Sequence, residues 1–460
     1  MRLIRRRVLI TLALFGALFA NSVPADAQGR SEAVLAALER APHVPNQILV
    51  QFRYGTSSDA KESLRGRVSA QTEDVVVPQD RRSDFKGDLE LWNLPPGLAI
   101  SQAVRDLQRE PTIEFVEPNW IYQHQADPYN PNDPYYTNGS LWGMYGDFTS
   151  PSNPFGSQAG EAWGNKTDCS SVYVGIIDEG MMFTHEDLAG NVWRNPFDPL
   201  DGVDNDGNGY IDDIHGWDFA GNDNSVFDGK DAHGTHVSGT VAAHGNNGKG
   251  VAGMCWQAQL ISLKFLSNSG GTTANAIKAV NYVTDLKTRH GLNIVATNNS
   301  WGGGGYSNGL YDAITSAGRA EILFIAAAGN SGVNTDVSPH YPSSYDIATI
   351  ISVAAIDKAG NLASWSNYGL TSVDLGAPGV SIWSTVPYKN NQSPYSSYSG
   401  TSMATPHVTG AAALYAAAHK KPTAAGIKSA ILNAVISTGS LFGKTVTGGR
   451  LNICSSSSCP

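Results

Sequence analysis

Long apolar runs, an excess of basic charge and internal repeats are all absent from this 460-residue sequence. The apolar run at 8–20 has 13 residues, whereas a membrane-spanning helix needs roughly 20, so we expect no membrane anchor. Residues 1–126 hold 15 basic and 15 acidic residues, so the net charge of −10 comes entirely from the 16 basic and 26 acidic residues that follow. Such a surface repels nucleic acid and anionic membranes but can hold cations.

The N-terminus has the pattern of a targeting signal. Four arginines precede the apolar run, and the small-residue site Ala25-Asp26-Ala27 follows it. We therefore predict a secretory signal peptide at 1–27, cleaved after Ala27, and a secreted protein, either extracellular or periplasmic. The arginines also suit a twin-arginine exporter, and the sequence does not separate the two routes.

Residues 28–126 have the pattern of a small α+β domain. Strand-like and helix-like segments are interleaved; the strands are expected at 47–52, 90–94 and 113–120 and the helices at 58–68 and 100–110. This order predicts a ferredoxin-like sandwich. A stretch rich in Pro, Asn, Asp and Tyr follows at 127–134 and indicates a linker, which places the domain boundary after residue 126.

From residue 127 to 460 the pattern is that of an α/β domain. Short, continuously apolar runs alternate with helix-like stretches; the runs lie at 172–177, 260–266, 294–298, 322–328 and 350–355, and the helices at 275–290 and 309–319. Strands buried on both faces predict a parallel sheet in a three-layer fold. In such sheets the loops after the carboxyl ends of the strands carry the chemistry.

Two of these loops carry residue types suited to acid–base chemistry. Asp178 ends the strand VGIID, where its carboxylate can orient a histidine, although helix capping or calcium binding explains it equally well. His233 begins HGTHVSGT, and His236 stands one turn along as a structural histidine. Two histidines three apart can also bind zinc, but the glutamate of an HExxH site is missing and other ligands would be needed.

Ser402 stands in GTSMATPHV at the start of a helix rich in alanine and glycine. A helix N-terminus favours negative charge, and the backbone N–H of Ser402 can point toward an oxyanion. Pro406 is costly inside an ordinary helix and therefore indicates a specialised buried site. A helix-capping serine is the alternative, which explains the position of Ser402 but not the rest of the motif.

Together the three motifs resemble those of the subtilisin-like serine peptidases, and the resemblance runs from about Trp142 to Asn452. Asp178 in VGIIDEG, His233 in HGTHVSGT and Ser402 in GTSMATPHV occur in the order of that family. The resemblance implies a subtilisin-like fold and a serine endopeptidase that hydrolyses peptide bonds through an acyl-enzyme.

The resemblance also implies residues that bind substrate. Asn330 in FIAAAGNSG matches the oxyanion asparagine of the family, which donates beside the backbone N–H of Ser402. A protein or peptide substrate would lie extended between two segments; one is Ser300, Trp301 and Gly302, and the other is Ser269, Gly270 and Gly271.

The primary pocket implied by the resemblance has Ala327, Ala328 and Gly329 on one wall and His340 at its floor, where the family often has glycine. Ser331 stands at the lip in place of an acidic residue sometimes found there. We therefore expect a shortened pocket that prefers modest apolar or aromatic side chains to lysine and arginine.

Two positions depart from the family pattern. Glu179 follows Asp178, where Ser or Thr is usual, and adds negative charge near the site for no reason visible in the sequence. The segment 243–251 is short compared with the loop that wraps a calcium ion in some family members, which weakens the case for calcium there.

A different acidic segment fits calcium better. Six aspartates crowd into 198–213, and Asp204 begins an EF-hand-like spacing of oxygen atoms. The candidate ligands are Asp204, Asp206, Asn208, the Tyr210 carbonyl, Asp212 and Asp213. His215 replaces the usual bidentate glutamate, so Asp212 or Asp213 must close the shell. A merely solvated acidic loop is the alternative.

The N-terminal domain fits the same family. Its ending FVEPNW resembles the inhibitory propeptides, which assist folding, occupy the cleft and are removed by the enzyme itself. The resemblance implies a self-processing zymogen whose residues 28–126 act as an intramolecular inhibitor, cleaved between about Tyr122 and Asp127. We expect a monomer.

Four cysteines in an exported chain favour disulfides over metal thiolates, and three pairings are possible. The pairs Cys169–Cys255 and Cys454–Cys459 are favoured, because the first two cysteines each precede a strand candidate and the last two enclose only four serines.

Two rival functions use the same fold. A non-catalytic binding scaffold would have lost one of the three motif residues, and none is replaced. An exopeptidase would need a blocked cleft, which the loop at 191–227 could supply.

Overall fold

The structure, a computed structural model, describes residues 34–35, 38, 43–81, 86–120, 128–267 and 269–454. The predicted signal peptide and the predicted self-cleavage segment lie outside these residues. Two compact units divide the chain, Met1–Gln123 and His124–Pro460, and each is described by itself. Within the described ranges no helix is long and apolar enough to cross a membrane.

The first unit is an antiparallel sheet with two helices. Along the chain it consists of β1 (His43–Arg53), α1 (Ser58–Arg67), β2 (Gln71–Val77), β3 (Lys86–Asn93), α2 (Ile100–Leu107) and β4 (Ile113–Trp120). The strand order is β2-β3-β1-β4, with antiparallel neighbours throughout. This βαββαβ arrangement is the predicted ferredoxin-like sandwich.

The core of this unit lies between the sheet and the helices. Ile48, Val50 and Phe52 alternate along β1 and share one buried cluster with Val104 and Leu107 of α2. Strand β2 is absent from the sequence-based prediction. It lies at the sheet edge with all but its last residue exposed, so it has no buried alternation from which a strand could be recognised.

The second unit contains the parallel sheet. Its elements are α3 (Pro134–Thr137), α4 (Ala159–Trp163), β5 (Tyr173–Asp178), β6 (Gly216–Asp218), α5 (Ala232–Ala242), β7 (Gln259–Lys264), β8 (Leu266–Ser267), β9 (Gly270–Gly271), α6 (Thr273–His290), β10 (Ile294–Asn299), α7 (Asn308–Arg319), β11 (Leu323–Ala327), β12 (Ile350–Ile356), β13 (Leu375–Pro378), β14 (Ile382–Thr385), β15 (Tyr395–Tyr398), α8 (Thr401–Ala418), α9 (Ala424–Ala434), β16 (Ile436–Ser437) and β17 (Gly449–Arg450). A single turn of 3-10 helix lies in this unit at Trp142–Met144, and another lies in the first unit at Gln79–Arg81.

The sheet order is β16-β17-β13-β12-β11-β10-β5-β7-β6. All neighbours are parallel except β16 and β17. Val174 and Ile176 of β5 lie in a core shared with α5 and α8, whereas Ile177 lies in a second core shared with α6 and α7. Successive strand residues point to opposite faces. Both faces are therefore buried, and the predicted three-layer α/β fold is confirmed.

The direction of winding reverses at β5. The chain passes from β5 to β7 on one side, and β10 to β13 are added later on the other side. Strands β5 and β10 therefore flank a topological switch point, where the carboxyl ends of the strands open a crevice. Asp178 ends β5 and Ser300 directly follows β10.

A disulfide joins Cys169 and Cys255, whose Cα atoms are 5.8 Å apart; it is one of the two pairs favoured from the sequence. It links the segments that precede β5 and β7, which are neighbours in the sheet. The other favoured pair includes Cys459, which lies outside the described residues.

Candidate active site

An aspartate and a histidine meet at the carboxyl end of β5. Asp178 is fully buried, and its carboxylate oxygens lie 2.9 and 3.1 Å from Nδ1 of His233, the second residue of α5. Asp178 Oδ1 also accepts from the Glu179 N–H at 2.8 Å, which fixes the carboxylate from its other side. Since Nδ1 donates to this carboxylate, Nε2 of the neutral ring keeps a free lone pair.

The glycine after His233 is required by close packing. A Cβ at Gly234 would collide with the carbonyl oxygen of Gly180, two residues beyond Asp178. Glycine therefore allows the first turn of α5 to approach the end of β5 closely enough for the hydrogen bond between Asp178 and His233.

The pKa values of the two histidines of HGTHVSGT are shifted in opposite directions. Burial of His233 opposes its protonation, but the charge and hydrogen bond of Asp178 outweigh burial and raise the pKa of His233 above 6.5. Burial lowers the pKa of His236 to about 3, and its Nε2 lies 3.0 Å from the Ile382 carbonyl. His236 is therefore a neutral structural histidine that donates from Nε2.

Ser402 is the second residue of α8, whose side chains are buried almost all round. Its Oγ donates to the Ser300 carbonyl at 3.1 Å, and Ser300 Oγ donates to the Ser402 carbonyl at 2.8 Å. Continuing the register of β5 and β10 by two residues sets Ser300 opposite Asp178, so the residue that the Ser402 hydroxyl bonds follows the strand next to β5. Within the described residues, the Ser402 hydroxyl bonds to Ser300 and not to His233.

Asn330 follows β11 beside the same serine. Its Oδ1 accepts from the backbone N–H and the hydroxyl of Thr401, both at 2.9 Å. A backbone N–H can only donate, so the atom facing it is oxygen, and Nδ2 is the atom left to donate elsewhere. A Cβ built on Gly400 would lie 3.7 Å from Asn330 Nδ2 and 3.5 Å from Ser402 N. Two nitrogens that carry N–H groups thus lie within 4 Å of one point beside Gly400.

Thr401 has no role in the sequence-based prediction. In the structure it orients Asn330, and its own hydroxyl accepts from the Gly329 N–H at 3.2 Å. Its place between Gly400 and Ser402 in the serine motif is the signal that could have found it.

The segments expected to flank a substrate differ in exposure. Ser300 is buried and Trp301 is half-buried, so Gly302 is the open residue of that segment. Trp301 packs on Phe265 with ring centroids 4.7 Å apart, and Phe265 directly precedes the β8–β9 hairpin that contains Ser269, Gly270 and Gly271. The hairpin turn is exposed. The two segments are thus connected through one aromatic contact.

His340 fills the space between two glycines of the expected pocket. A Cβ at Gly302 or at Gly329 would collide with the imidazole ring. Burial lowers the pKa of His340, so the ring is neutral at pH 7, and its Nδ1 lies 3.2 Å from Ser343 Oγ. Ala328, in contrast, is fully buried in a small core of its own and has no surface to offer a ligand.

The acidic segment at 198–213 is held by its own hydrogen bonds. Asp204 accepts from the backbone N–H groups of residues 207–209, and Asp212 accepts from those of Asp201 and Gly202. In the described ranges, no three His, Cys, Asp or Glu side chains are arranged to hold a metal ion.

Asp213 is nevertheless a buried carboxyl, and the Tyr282 hydroxyl donates to its Oδ2 at 2.5 Å. Asn208 Nδ2 lies 2.8 Å from Asp213 Oδ2 and 3.2 Å from Asp206 Oδ2. Burial raises the pKa of Asp213 to about 7. Asp and Asn side chains carry the oxygen ligands that a hard cation prefers, whereas hydrogen bonds already engage the carboxylate oxygens of Asp204, Asp212 and Asp213.

The fold and the site are those of a serine hydrolase built on a parallel sheet. In this class a buried carboxylate orients a histidine, and the histidine activates a serine that lies beside N–H donors. Residues 170–452 match the Subtilase family, and residues 29–119 match the Fervidolysin N-terminal prodomain. This chain belongs to the subtilase family.

Alignments with similar proteins cover most of this chain and most of each relative. A thermophilic serine proteinase of Bacillus sp. (strain AK1) is 32% identical over 380 residues, 82% of this chain and 79% of that protein. Thermitase of Thermoactinomyces vulgaris is 35% identical over 328 residues, 70% of this chain and 98% of its own. A solved protease of Pseudoalteromonas arctica has 27% identity and a TM-score of 0.57 over 70% of this chain and 97% of its own. The chain is a serine endopeptidase with an N-terminal prodomain, and the family predicted from the three motifs is confirmed.

Proposed function

We propose that this chain is the precursor of a secreted endopeptidase in which Asp178, His233 and Ser402 hydrolyse peptide bonds by acyl transfer. The observation that carries the proposal is the pair of contacts, at 2.9 and 3.1 Å, between the buried Asp178 carboxylate and Nδ1 of His233. These contacts support a histidine fixed in orientation and tautomer, with Nε2 available as a base.

In the first half-reaction the Ser402 hydroxyl turns from the Ser300 carbonyl toward His233. Oγ attacks the carbonyl carbon of the scissile bond while Nε2 takes its proton, and the imidazolium then gives that proton to the leaving amine. Water then hydrolyses the acyl-enzyme: it attacks the acyl carbon while Nε2 takes its proton, and the imidazolium returns that proton to Ser402 Oγ as the acid product leaves. Asp178 stabilises the imidazolium in both halves.

The negative charge of each tetrahedral intermediate would lie between Asn330 Nδ2 and the Ser402 N–H. The support is the position beside Gly400, which is within 4 Å of both nitrogens. Loss of one such donor costs about 10²–10³-fold in kcat.

Substrate would bind as an extended strand along the exposed backbone at Gly302 and the hairpin turn at 269–271. The neutral ring of His340 between Gly302 and Gly329 supports a short pocket with no partner for a basic side chain. We therefore assign a preference for modest apolar or aromatic side chains.

Residues 28–126 would be the inhibitory propeptide, preceded by a signal peptide at 1–27 and followed by the peptidase domain at 127–460. The prodomain match at 29–119 supports the first assignment. Export is supported by the Cys169–Cys255 disulfide, which suits an oxidising compartment, and by a 31% identical relative named the extracellular basic protease of Dichelobacter nodosus.

We also assign structural calcium to the acidic segment, with Asp206, Asn208 and Asp213 as its centre and Asp204, Tyr210 and Asp212 completing the oxygen donors. The support is the spacing of Asp and Asn side chains along this segment and the closeness of the buried Asp213 carboxyl to Asp206, since Asn208 contacts both. Bound calcium would offset the buried negative charge and has no part in the hydrolytic steps.

Expression of the full chain beside Ser402→Ala tests the mechanism. The wild type should lose its N-terminal domain and hydrolyse casein, whereas S402A should stay full-length and inactive, as followed by mass spectrometry and by casein cleavage. Ser338→Ala is the matched control, because Ser338 is exposed and bonds only through its backbone. Equal processing of S402A and the wild type contradicts the mechanism.

A further inference from the structure

Glu179 binds the backbone of the same histidine whose ring is bound by Asp178. Its side chain is half-buried, and Oε1 accepts from the His233 N–H at 2.7 Å. Two consecutive residues at the end of β5 therefore fix His233 at two places, the ring through Asp178 and the main chain through Glu179.

The hydrogen bond from His233 replaces a missing helix cap. The N-cap residue of α5, Asp231, makes no side-chain capping bond, and the first turn contains no acidic residue. The first N–H groups of a helix need acceptors from outside the helix, and a carboxylate is the favoured one. Asp231 cannot take this role, because its carboxylate is bound to Lys264 at 2.5 Å and to the Asp228 N–H at 2.8 Å.

Lys264 holds Glu179 and α5 in one network. It is the buried last residue of β7, its side chain is 3% exposed, and it pairs with Asp178 in the sheet register. Its Nζ donates to the Glu179 carbonyl at 2.6 Å as well as to Asp231. The end of β5, the end of β7 and the start of α5 are thus joined around one ammonium group.

We propose that Glu179 is a positioning residue for His233: its carboxylate caps the first turn of α5, and its charge favours the imidazolium that forms during turnover. This inference rests on the role proposed above for His233. The ionisable groups that face Glu179 are Asp178 of its own segment, His233 and Asp231 of the α5 start, Lys264 of β7 and Tyr398 of β15. Lys264 is paired with Asp231, so the Glu179 charge is free to act on His233.

The two effects of Glu179 have different signatures. Its charge is one of the causes that raise the pKa of His233, so removing the charge lowers that pKa and moves the acid limb of kcat/KM to lower pH. Loss of the cap instead displaces the base, which lowers kcat at every pH. A residue that only supports the fold would lower stability without moving the acid limb.

Two substitutions separate these effects. Glu179→Gln keeps an oxygen acceptor and loses the charge, so we expect kcat within about threefold of wild type and an acid limb at lower pH. Glu179→Ala loses both, so we expect the same shift and a fall in kcat of roughly tenfold or more, with a smaller change in KM. Glu321→Gln is the matched control, because Glu321 Oε2 accepts from the Ala424 N–H at the start of α9 at 2.7 Å, remote from His233.

The pKa of His233 should also be measured by NMR in Ser402→Ala, with and without Glu179→Gln, because this readout needs no activity. An unchanged His233 pKa and acid limb in E179Q overturn the role of the charge, and an unchanged kcat in E179A overturns the role of the cap. If E179A does not fold, E179Q and the NMR titration still decide the role of the charge. An inactive wild type contradicts the proposed function alone, whereas the NMR result still tests Glu179.

Discussion

At the scale of single residues, the charge state of His233 should set the pH range of the proposed reaction. Its pKa is raised above 6.5 because the charge and hydrogen bond of Asp178 outweigh burial, and only the neutral ring can accept the Ser402 proton. We expect kcat/KM to fall as pH drops through a value above 6.5. Asp178→Asn should lower kcat about 10⁴-fold and move the remaining acid limb to lower pH.

The measurement is kcat/KM against pH with a chromogenic peptide. Circular dichroism over the same range is the control, because unfolding would imitate the acid limb. A limb that stays in place in D178N contradicts this electrostatic explanation.

His340 should set the size of the primary pocket. His340→Gly removes the ring that lies against Gly302 and Gly329, so we expect kcat/KM to rise for large aromatic side chains relative to small apolar ones. Cleavage of a peptide library by the wild type, H340G and the remote His419→Gly measures this. Cleavage mainly after lysine or arginine by the wild type contradicts the proposed preference.

The proposed catalytic residues can be recognised in the sequence, whereas the residues that support them cannot. Asp178, His233 and Ser402 lie in short local motifs, and each motif can be recognised on its own. Thr401 lies 71 residues from Asn330, which it supports. Lys264 lies 85 residues from Glu179. Such contacts depend on how the strands are ordered, which local motifs do not contain.

At the scale of elements, the Cys169–Cys255 disulfide ties the starts of two neighbouring strands across 86 residues of chain. Closing a loop of this length stabilises a fold by about 4 kcal/mol, mainly through the unfolded state. The double substitution Cys169→Ala with Cys255→Ala should therefore lower the free energy of unfolding by that amount. Urea unfolding of the S402A background measures it without self-digestion, and an unchanged midpoint contradicts the prediction.

The elements that the sequence predicts are those with a continuous buried surface. The helix expected at 275–290 is observed at Thr273–His290, because the Thr272 side chain caps it through the Asn275 N–H. The strand expected to reach residue 266 ends instead at Lys264, whose charged group is held by Asp231. Short strands such as β6, β16 and β17 have too few residues to show a pattern.

At the scale of the whole molecule, the net charge of −10 is concentrated in part at the acidic segment. If calcium binds there, its removal by a chelator should lower Tm, because a ligand that binds only the native state stabilises it by mass action. The buried Asp213 should then matter more than an acid outside the segment, so Asp213→Asn should abolish the calcium effect and Asp357→Asn should not. Scanning calorimetry of S402A with and without calcium measures this. If S402A with an unchanged acidic segment has the same Tm in both conditions, the calcium site is contradicted.

The reversal of winding at β5 divides the proposed catalytic residues between two parts of the chain. Asp178 and His233 precede the exposed β8–β9 hairpin, whereas Asn330 and Ser402 follow it. One cut at this surface turn would therefore leave two inert fragments, one with the base and the other with the nucleophile. The same turn is a suitable place to divide the enzyme into two complementing fragments. Peptide cleavage would then be detected only when the two fragments associate.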